Sequence, residues 1–315
     1  MRINSLRILA GVLICSGAAL ARAADPLTAP VTASVTAPVA APADTPAAAM
    51  RASFVALQPQ LARNNFDRPL VLVSKEGAGT VSGDIHAVVN ARFESAEAAL
   101  ASPDEWCAIM FLHINTTACR TANAGGGKVL DLWIGSKESR SLAEDSRLAL
   151  AFRTTSRTPG YLRVALRAPD GPMGTRDYHI LLEAIPLENA QTFIHLAYNY
   201  AYGTFGQLAM QAYLATIGRD KVGFTLLVPS SDGGALAGHI GGPRGIVERN
   251  TMRYYLAIEA YLGALSVPPQ ARFEKRIRDW YAAVERYPRQ LHDAGEAEYL
   301  AMKRDGLLRP LPPPS

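Results

Sequence analysis

The feature that most narrows the fold is a run of five apolar-patterned segments between Lys128 and Gly203: KVLDLWIG, SRLALAFRTT, GYLRVALRA, DYHILLEAIPL and TFIHLAYNYAYG. Leu162, Val164 and Leu166 alternate with Tyr161, Arg163 and Arg167, the period of a strand with one buried face. The links Thr158-Pro159-Gly160 and Pro169-Asp170-Gly171-Pro172 are turn sequences. Links this short favour antiparallel neighbours, because a parallel pair needs a crossover of a dozen or more residues.

Helical patterns flank this meander. A short amphipathic helix is expected from Met50 to Leu61, with Phe54, Leu57 and Leu61 on one face. PLVLVSKE and GDIHAVVNARF read as two strands, with Gly77, Gly79 and Gly83 marking the turn between them. Phe93, Ala96 and Leu100 recur at helical spacing, and Ser102-Pro103-Asp104-Glu105 starts a second helix carrying Trp106, Ile109 and Met110. Beyond the meander, a helix is expected from Phe205 to Ile217 and a last strand in KVGFTLLV. A Gly-rich connector, GGPRG, then leads into a long helix that Pro268-Pro269 ends. GGGKV at 125–129 lacks the spacing of a phosphate loop and reads as a turn between helix and strand.

The N-terminus sets the expected compartment. Arg2 and Arg7, an apolar or small stretch from Leu6 to Leu20, and Ala21-Arg22-Ala23 have the form of a cleaved secretory signal. Residues 1–23 are therefore assigned as a leader and 24–49, rich in Ala, Pro and Thr, as an extended linker. Residues 50–266 form the folded domain and 267–315 a helical, Pro-rich tail, expected to pack on the outside of the domain or on a cell-envelope partner. No later run is apolar enough to span a bilayer. Without Arg2, Arg7 and Arg22 the 32 Lys and Arg become 29 against 28 acids, a net charge of +1, and no basic block is interleaved with aromatics. Nucleic acid is excluded as a partner on that ground. Loss of the leader removes Cys15 and leaves Cys107 and Cys119, an even pair that reads as a disulfide in an exported chain. In the chain-entropy picture a loop of this size stabilises by roughly 3 kcal/mol.

This order of elements, a strand, two short helices, antiparallel strands and a long helix, resembles the helix-grip fold of the START-like superfamily (SRPBCC, polyketide cyclase-like) over about residues 65–266. The stretches GDIHAVVNARFESAEAALASPDEWCAIMFLHINTTAC, RGIVERNTMRYYLAIEAYL and RYPRQLH also resemble a group of exported proteobacterial proteins of that superfamily. The resemblance implies an α+β fold in which a curved antiparallel sheet grips a long C-terminal helix, with the helical tail added. It also implies an apolar cavity between sheet and helix. The extra helix at 205–217 and the tail depart from a minimal domain of that type.

Within that frame the candidate ligand-binding residues are Tyr198, Tyr200 and Tyr202, on one face of their strand with Ile194 and Leu196, and either core or cavity wall. Phe224 and Leu226, on one face of the last strand with Val222 and Val228, are further candidates. On the long helix Val247, Thr251, Tyr254, Ile258, Leu262 and Leu265 form a stripe facing the sheet, with Thr251, Tyr254 and Ile258 as ligand contacts. Arg249, Asn250 and Arg253 lie off the stripe and could select a headgroup, unless Glu248 pairs with an Arg one turn on. The histidines form no metal or catalytic motif, and no metal or cofactor is expected. Asn115-Thr116-Thr117 fits a glycosylation acceptor but lacks any other eukaryotic signal.

The functional expectation is binding or transport of a lipid or other hydrophobic small molecule in the periplasm, without chemistry. One alternative is a cyclase-like or hydrolytic enzyme with His179 or His195 inside the cavity. The other is an envelope interaction module that docks through 267–315.

Overall fold

The structure is a computed structural model and describes residues 45–135, 141–216, 218–227 and 238–312. The expected leader, the linker up to residue 44 and Val228 lie outside the described residues. Eight antiparallel strands form one curved sheet in the order β1-β2-β8-β7-β6-β5-β4-β3. They are β1 (Leu70–Gly77), β2 (Thr80–Val89), β3 (Thr116–Ala124), β4 (Gly127–Ile134), β5 (Ser146–Thr158), β6 (Tyr161–Asp170), β7 (Thr175–Pro186) and β8 (Thr192–Tyr202). The expected fold class is present: the sheet grips one long helix, α5 (Gly242–Gly263), which packs on β1, β2 and β8.

Helices α2 (Phe93–Leu100) and α3 (Pro103–Phe111) lie on the same, concave face of the sheet, where Trp106, Ile109 and Met110 are fully buried. Ser102 caps α3 by accepting from the Glu105 amide. Cys107 of α3 is disulfide-bonded to Cys119 of β3, the pair expected beyond the leader.

Helix α1 (Pro46–Ala62) occupies the other face of the sheet. It starts where Thr45 accepts from the Ala48 amide at 3.2 Å, so folded structure begins inside the stretch read as linker to residue 49. Met50 and Leu61 are buried against Val71, Tyr161, Ile185 and Phe193, and the Phe54 and Phe193 rings lie 5.1 Å apart.

Four sequence expectations are corrected. Gly83 is not in the β1–β2 turn but inside β2, where an added Cβ would stand 2.4 Å from Thr251 Oγ1. The missing side chain lets α5 approach the sheet closely. Second, TTACRTANA forms strand β3, and the glycines after it turn between two strands rather than between helix and strand. Gly125 and Gly126 there have φ of +58° and +75°. Third, KVGFTLLV is not a sheet strand: residues 223–227 pair irregularly with 238–240, through Gly223 N to Ile240 O (2.6 Å) and Ile240 N to Thr225 O (2.8 Å). Fourth, GGPRG is not a free connector, since α5 begins at Gly242 with Pro243 and Arg244 in its first turn.

The helix expected at 205–217 is α4 (Thr204–Ala215). After α5 come α6 (Pro269–Val284), α7 (Pro288–Leu291) and α8 (Glu296–Leu308), which pack on α5, α3 and β3. The Trp280 and Tyr299 rings stack at 4.9 Å, with Trp280 Nε1 donating to Arg253 O and Tyr299 Oη to Leu112 O. Lys303, 1% exposed, donates to the carbonyls of His113 and Thr116 just beyond the C-terminus of α3, where the helix dipole favours a cation. Residues 267–308 therefore close the side of α5 that faces away from the sheet, which explains why nearly every residue from Val247 to Leu262 is buried.

The Gly83–Thr251 approach is testable in a double-mutant cycle. Gly83→Ala should destabilise by about 1–3 kcal/mol, as overpacking does, with no change in denaturant m-value. In the Thr251→Ala background the same change should cost measurably less.

Candidate functional site

The candidate residues divide into three places. Tyr198, Tyr200 and Tyr254 meet between β8 and α5, with Tyr178 of β7. Tyr198 and Tyr254 are 5.3 Å apart, Tyr198 and Tyr200 5.6 Å, and Tyr178 stacks on Tyr200 at 5.3 Å. Each ring is at most 9% exposed. Burial holds the Tyr198 hydroxyl well above the ordinary tyrosine range. The space expected to be a cavity wall is thus occupied, at this position, by the tyrosines themselves. Tyr202 lies at the strand end and donates to Glu76 at 3.4 Å. Ile258 is fully buried, and Thr251 uses its hydroxyl on Val247 O one turn back, at 2.7 Å.

The second place is the N-terminal half of α5, where the charged residues are all engaged in holding the fold. Glu248, fully buried, accepts from Ser74 Oγ (2.5 Å), the Phe224 and Thr225 amides (2.5 and 2.9 Å) and Thr225 Oγ1 (2.6 Å). Arg244 Nε in turn donates to Ser74 Oγ at 3.0 Å. The expected pairing of Glu248 with an arginine one turn on is therefore corrected. Arg249 donates to Val222 O at 3.4 Å, and Arg253 donates to Asp293 at 2.6 Å and Asn250 at 3.5 Å. Burial raises the Asp293 carboxyl, but Arg253 and Lys221 outweigh it and leave the group below its usual range. His113 is buried beside Tyr254, ring to ring 5.0 Å, and burial with Arg253 and Lys303 lowers it to about 3.

The third place is a groove of about 370 Å³ that sequence reading did not find as such. It is lined by Leu70, Val71 and Leu72 of β1, by Phe66, and by Phe224, Thr225 and Leu226. Gln60, Arg63, Asn64 and Asn65 form a polar rim at the end of α1. Asn64 shapes that rim: its amide donates to Gln60 O, Leu61 O and Arg68 O, and its oxygen accepts from the Phe66 amide. Phe224 is held by Phe66 (5.6 Å) and Tyr287 (5.4 Å), and Tyr287 Oη donates to Phe66 O. Two predicted residues, Phe224 and Leu226, thus reach a common site, but with β1 and the 63–66 loop instead of with the tyrosines. Leu226 is 45% exposed and Leu227, beside it in the chain, 47%.

β1 ends the sheet, so its backbone is partly unpaired. Val88 N donates to Pro69 O, and the register then gives the hydrogen-bonded pairs to Val71 and Val73. The amide and carbonyl of Leu72, which lines the groove, are left facing away from β2.

His179 and His195 both lie on the sheet face away from the core, so neither is the inward-pointing base that a cavity enzyme requires. His195 bridges two carboxylates, Nδ1 to Glu183 and Nε2 to Asp84, each at 3.0 Å. His86 stacks on it at 4.3 Å and 7°. Burial pushes His195 down, but the hydrogen bonds to Asp84 and Glu183 outweigh it and hold the ring at about 9. His86, buried and beside that cation, is lowered to about 4. Among the described residues no group of three or more His, Cys, Asp and Glu could hold a metal ion, and no helix is long and apolar enough to cross a membrane.

No protein-family profile matches the sequence, and no curated protein matches it. Solved structures similar to this chain include norcoclaurine synthase from Thalictrum flavum, at 16% identity over 46% of this chain and 90% of that chain, with a TM-score of 0.31. Zhui aromatase/cyclase from Streptomyces sp. R1128 is 12% identical over 66% of this chain and 94% of that chain, with a TM-score of 0.33. Ara h 8.0201 is 9% identical over 59% and 99%, with a TM-score of 0.34. Likenesses this distant carry no functional argument, and the fold assignment rests on the strand order and the placement of α5.

The histidine bridge has a definite pH signature. A raised folded-state pKa contributes stability that is fully present below the unfolded value of about 6.5 and is lost as pH rises through about 9. The stability difference between wild type and His195→Gln, measured by denaturant melts, should therefore shrink between those two pH values.

Proposed function

We propose that this chain binds an apolar or amphipathic small molecule in the groove beside β1, without chemistry, and does so as an exported protein. The observation that carries the reading is the groove itself, a solvent-open space of about 370 Å³ lined by Phe66, three β1 residues, Phe224 and Leu226 together with polar residues at the end of α1. Small-molecule sites have that composition and volumes of roughly 300–1,000 Å³. The hydrophobic effect would drive binding, and Arg63 with the amide and carbonyl of Leu72, which face away from β2, would orient a polar end. Export is supported by the form of residues 1–23 and by the Cys107–Cys119 bond, which suits an oxidising compartment. Kinship with exported proteobacterial proteins of the START-like superfamily belongs to the same proposal. Arg249, Asn250 and Arg253 have no part in it, since they hold Val222, Asp293 and each other.

The test is titration with a dansylated fatty acid, followed by fluorescence. Phe224→Asp should weaken binding at least about tenfold, because it places a charge in the apolar wall. Tyr200→Phe should leave affinity unchanged. The reverse pattern would return the site to the tyrosine cluster and overturn the groove assignment.

A further inference from the structure

The outer face of the sheet, which α1 covers only at the Phe193 end, carries a concentration of guanidinium groups that the chain as a whole does not have. Arg163 and Arg167 lie two residues either side of Ala165 on β6, and Ala165 stands opposite Arg153 on β5. Arg153 is thus the diagonal neighbour of both, a separation of roughly 7–8 Å at the backbone. His179 stands opposite Arg167 on β7. The floor among them is Ala165, Leu181 and Ala197.

The carboxylates of this face are already committed. Asp131 is shared by Arg120 and Arg147, and Asp84 and Glu183 hold His195, with Arg163 3.7 Å from Glu183. Arg153 and Arg167 are exposed and have no carboxylate partner among the described residues. The face therefore carries positive charge that an anionic partner would neutralise.

We propose that the outer face of β5, β6 and β7 docks on an acidic phospholipid surface. A compact anion needs donors that converge on a point, whereas these guanidiniums are spread over neighbouring strands of the outer face. An acidic protein partner needs a central aromatic or aliphatic anchor, and among these arginines the face offers only alanines and a half-buried Leu181. An extended array of anionic headgroups suits arginines that are spaced across neighbouring strands and exposed to solvent. The inference does not rest on ligand binding in the β1 groove.

The experiment is co-sedimentation of the chain with vesicles of phosphatidylglycerol and phosphatidylcholine, and with vesicles of phosphatidylcholine alone. Binding is expected to the acidic vesicles only, and to fall steeply as salt rises. The triple variant Arg153→Gln, Arg163→Gln, Arg167→Gln should lose roughly tenfold to a hundredfold in partitioning. A charge-matched variant with Arg278, Arg286 and Arg289 replaced by Gln should bind like wild type. A matching thermal melt and dansyl fatty acid affinity for the triple variant separate docking from folding and from the groove. Equal binding to neutral vesicles, or a triple variant that binds as wild type does, would overturn the proposal. So would binding of soluble dextran sulfate without binding of acidic vesicles, which would point to a polyanionic polymer instead.

Discussion

A single buried carboxyl group organises the end of the fold that carries the groove. Glu248 is out of contact with solvent, and a polar group there is tolerable only because donors surround it. Its four partners come from β1 and from the 223–225 segment, so one side chain ties the first strand, the irregular connection and the long helix together. Gly223 belongs to the same device, since an added Cβ would lie 2.5 Å from Glu248 Oε2.

The groove follows from that clamp. With the 224 and 225 amides turned towards Glu248, the segment cannot join the sheet as another strand beside β1. Phe224 is instead presented across from Phe66, and Tyr287, from beyond α6, braces both rings. Residues after 267 are thereby part of the site's construction. The opposite edge of the sheet is treated differently: α8 packs on β3, and Arg120 of β3 donates to the Pro312 carbonyl. One edge is covered and the other borders a groove.

Much of the architecture was legible in the sequence, and the failures have physical causes. The strands from Leu130 to Tyr202 announced themselves because one face is buried and the other wet, which forces alternation. β3 did not: Thr116, Thr117 and Ala118 are consecutively buried, and Cys119 onward is half-exposed, so no period of two appears. KVGFTLLV shows the opposite failure. Its alternation is real, but Phe224 turns inward to pack on aromatic rings while Leu226 remains exposed, a pattern that a loop can share with a strand. Gly83 looked like turn punctuation because sequence cannot separate a glycine that bends the chain from one that admits a neighbour. The disulfide could be read from the two cysteines that lie beyond the expected leader.

The tyrosines mark the limit of pattern reading for function. Alternation correctly placed Tyr198, Tyr200 and Tyr202 on one face, but not whether that face bordered a void or other tyrosines; the answer depended on Tyr178 and Tyr254, from β7 and α5. The most direct test of where ligand binds is amide hydrogen exchange with and without a saturating dansylated fatty acid. Slower exchange confined to peptides covering 60–72 and 223–227, with residues 196–202 unchanged, is the result expected of a groove site. Protection of 196–202 and of the Tyr254 region, with 223–227 unaffected, would contradict it.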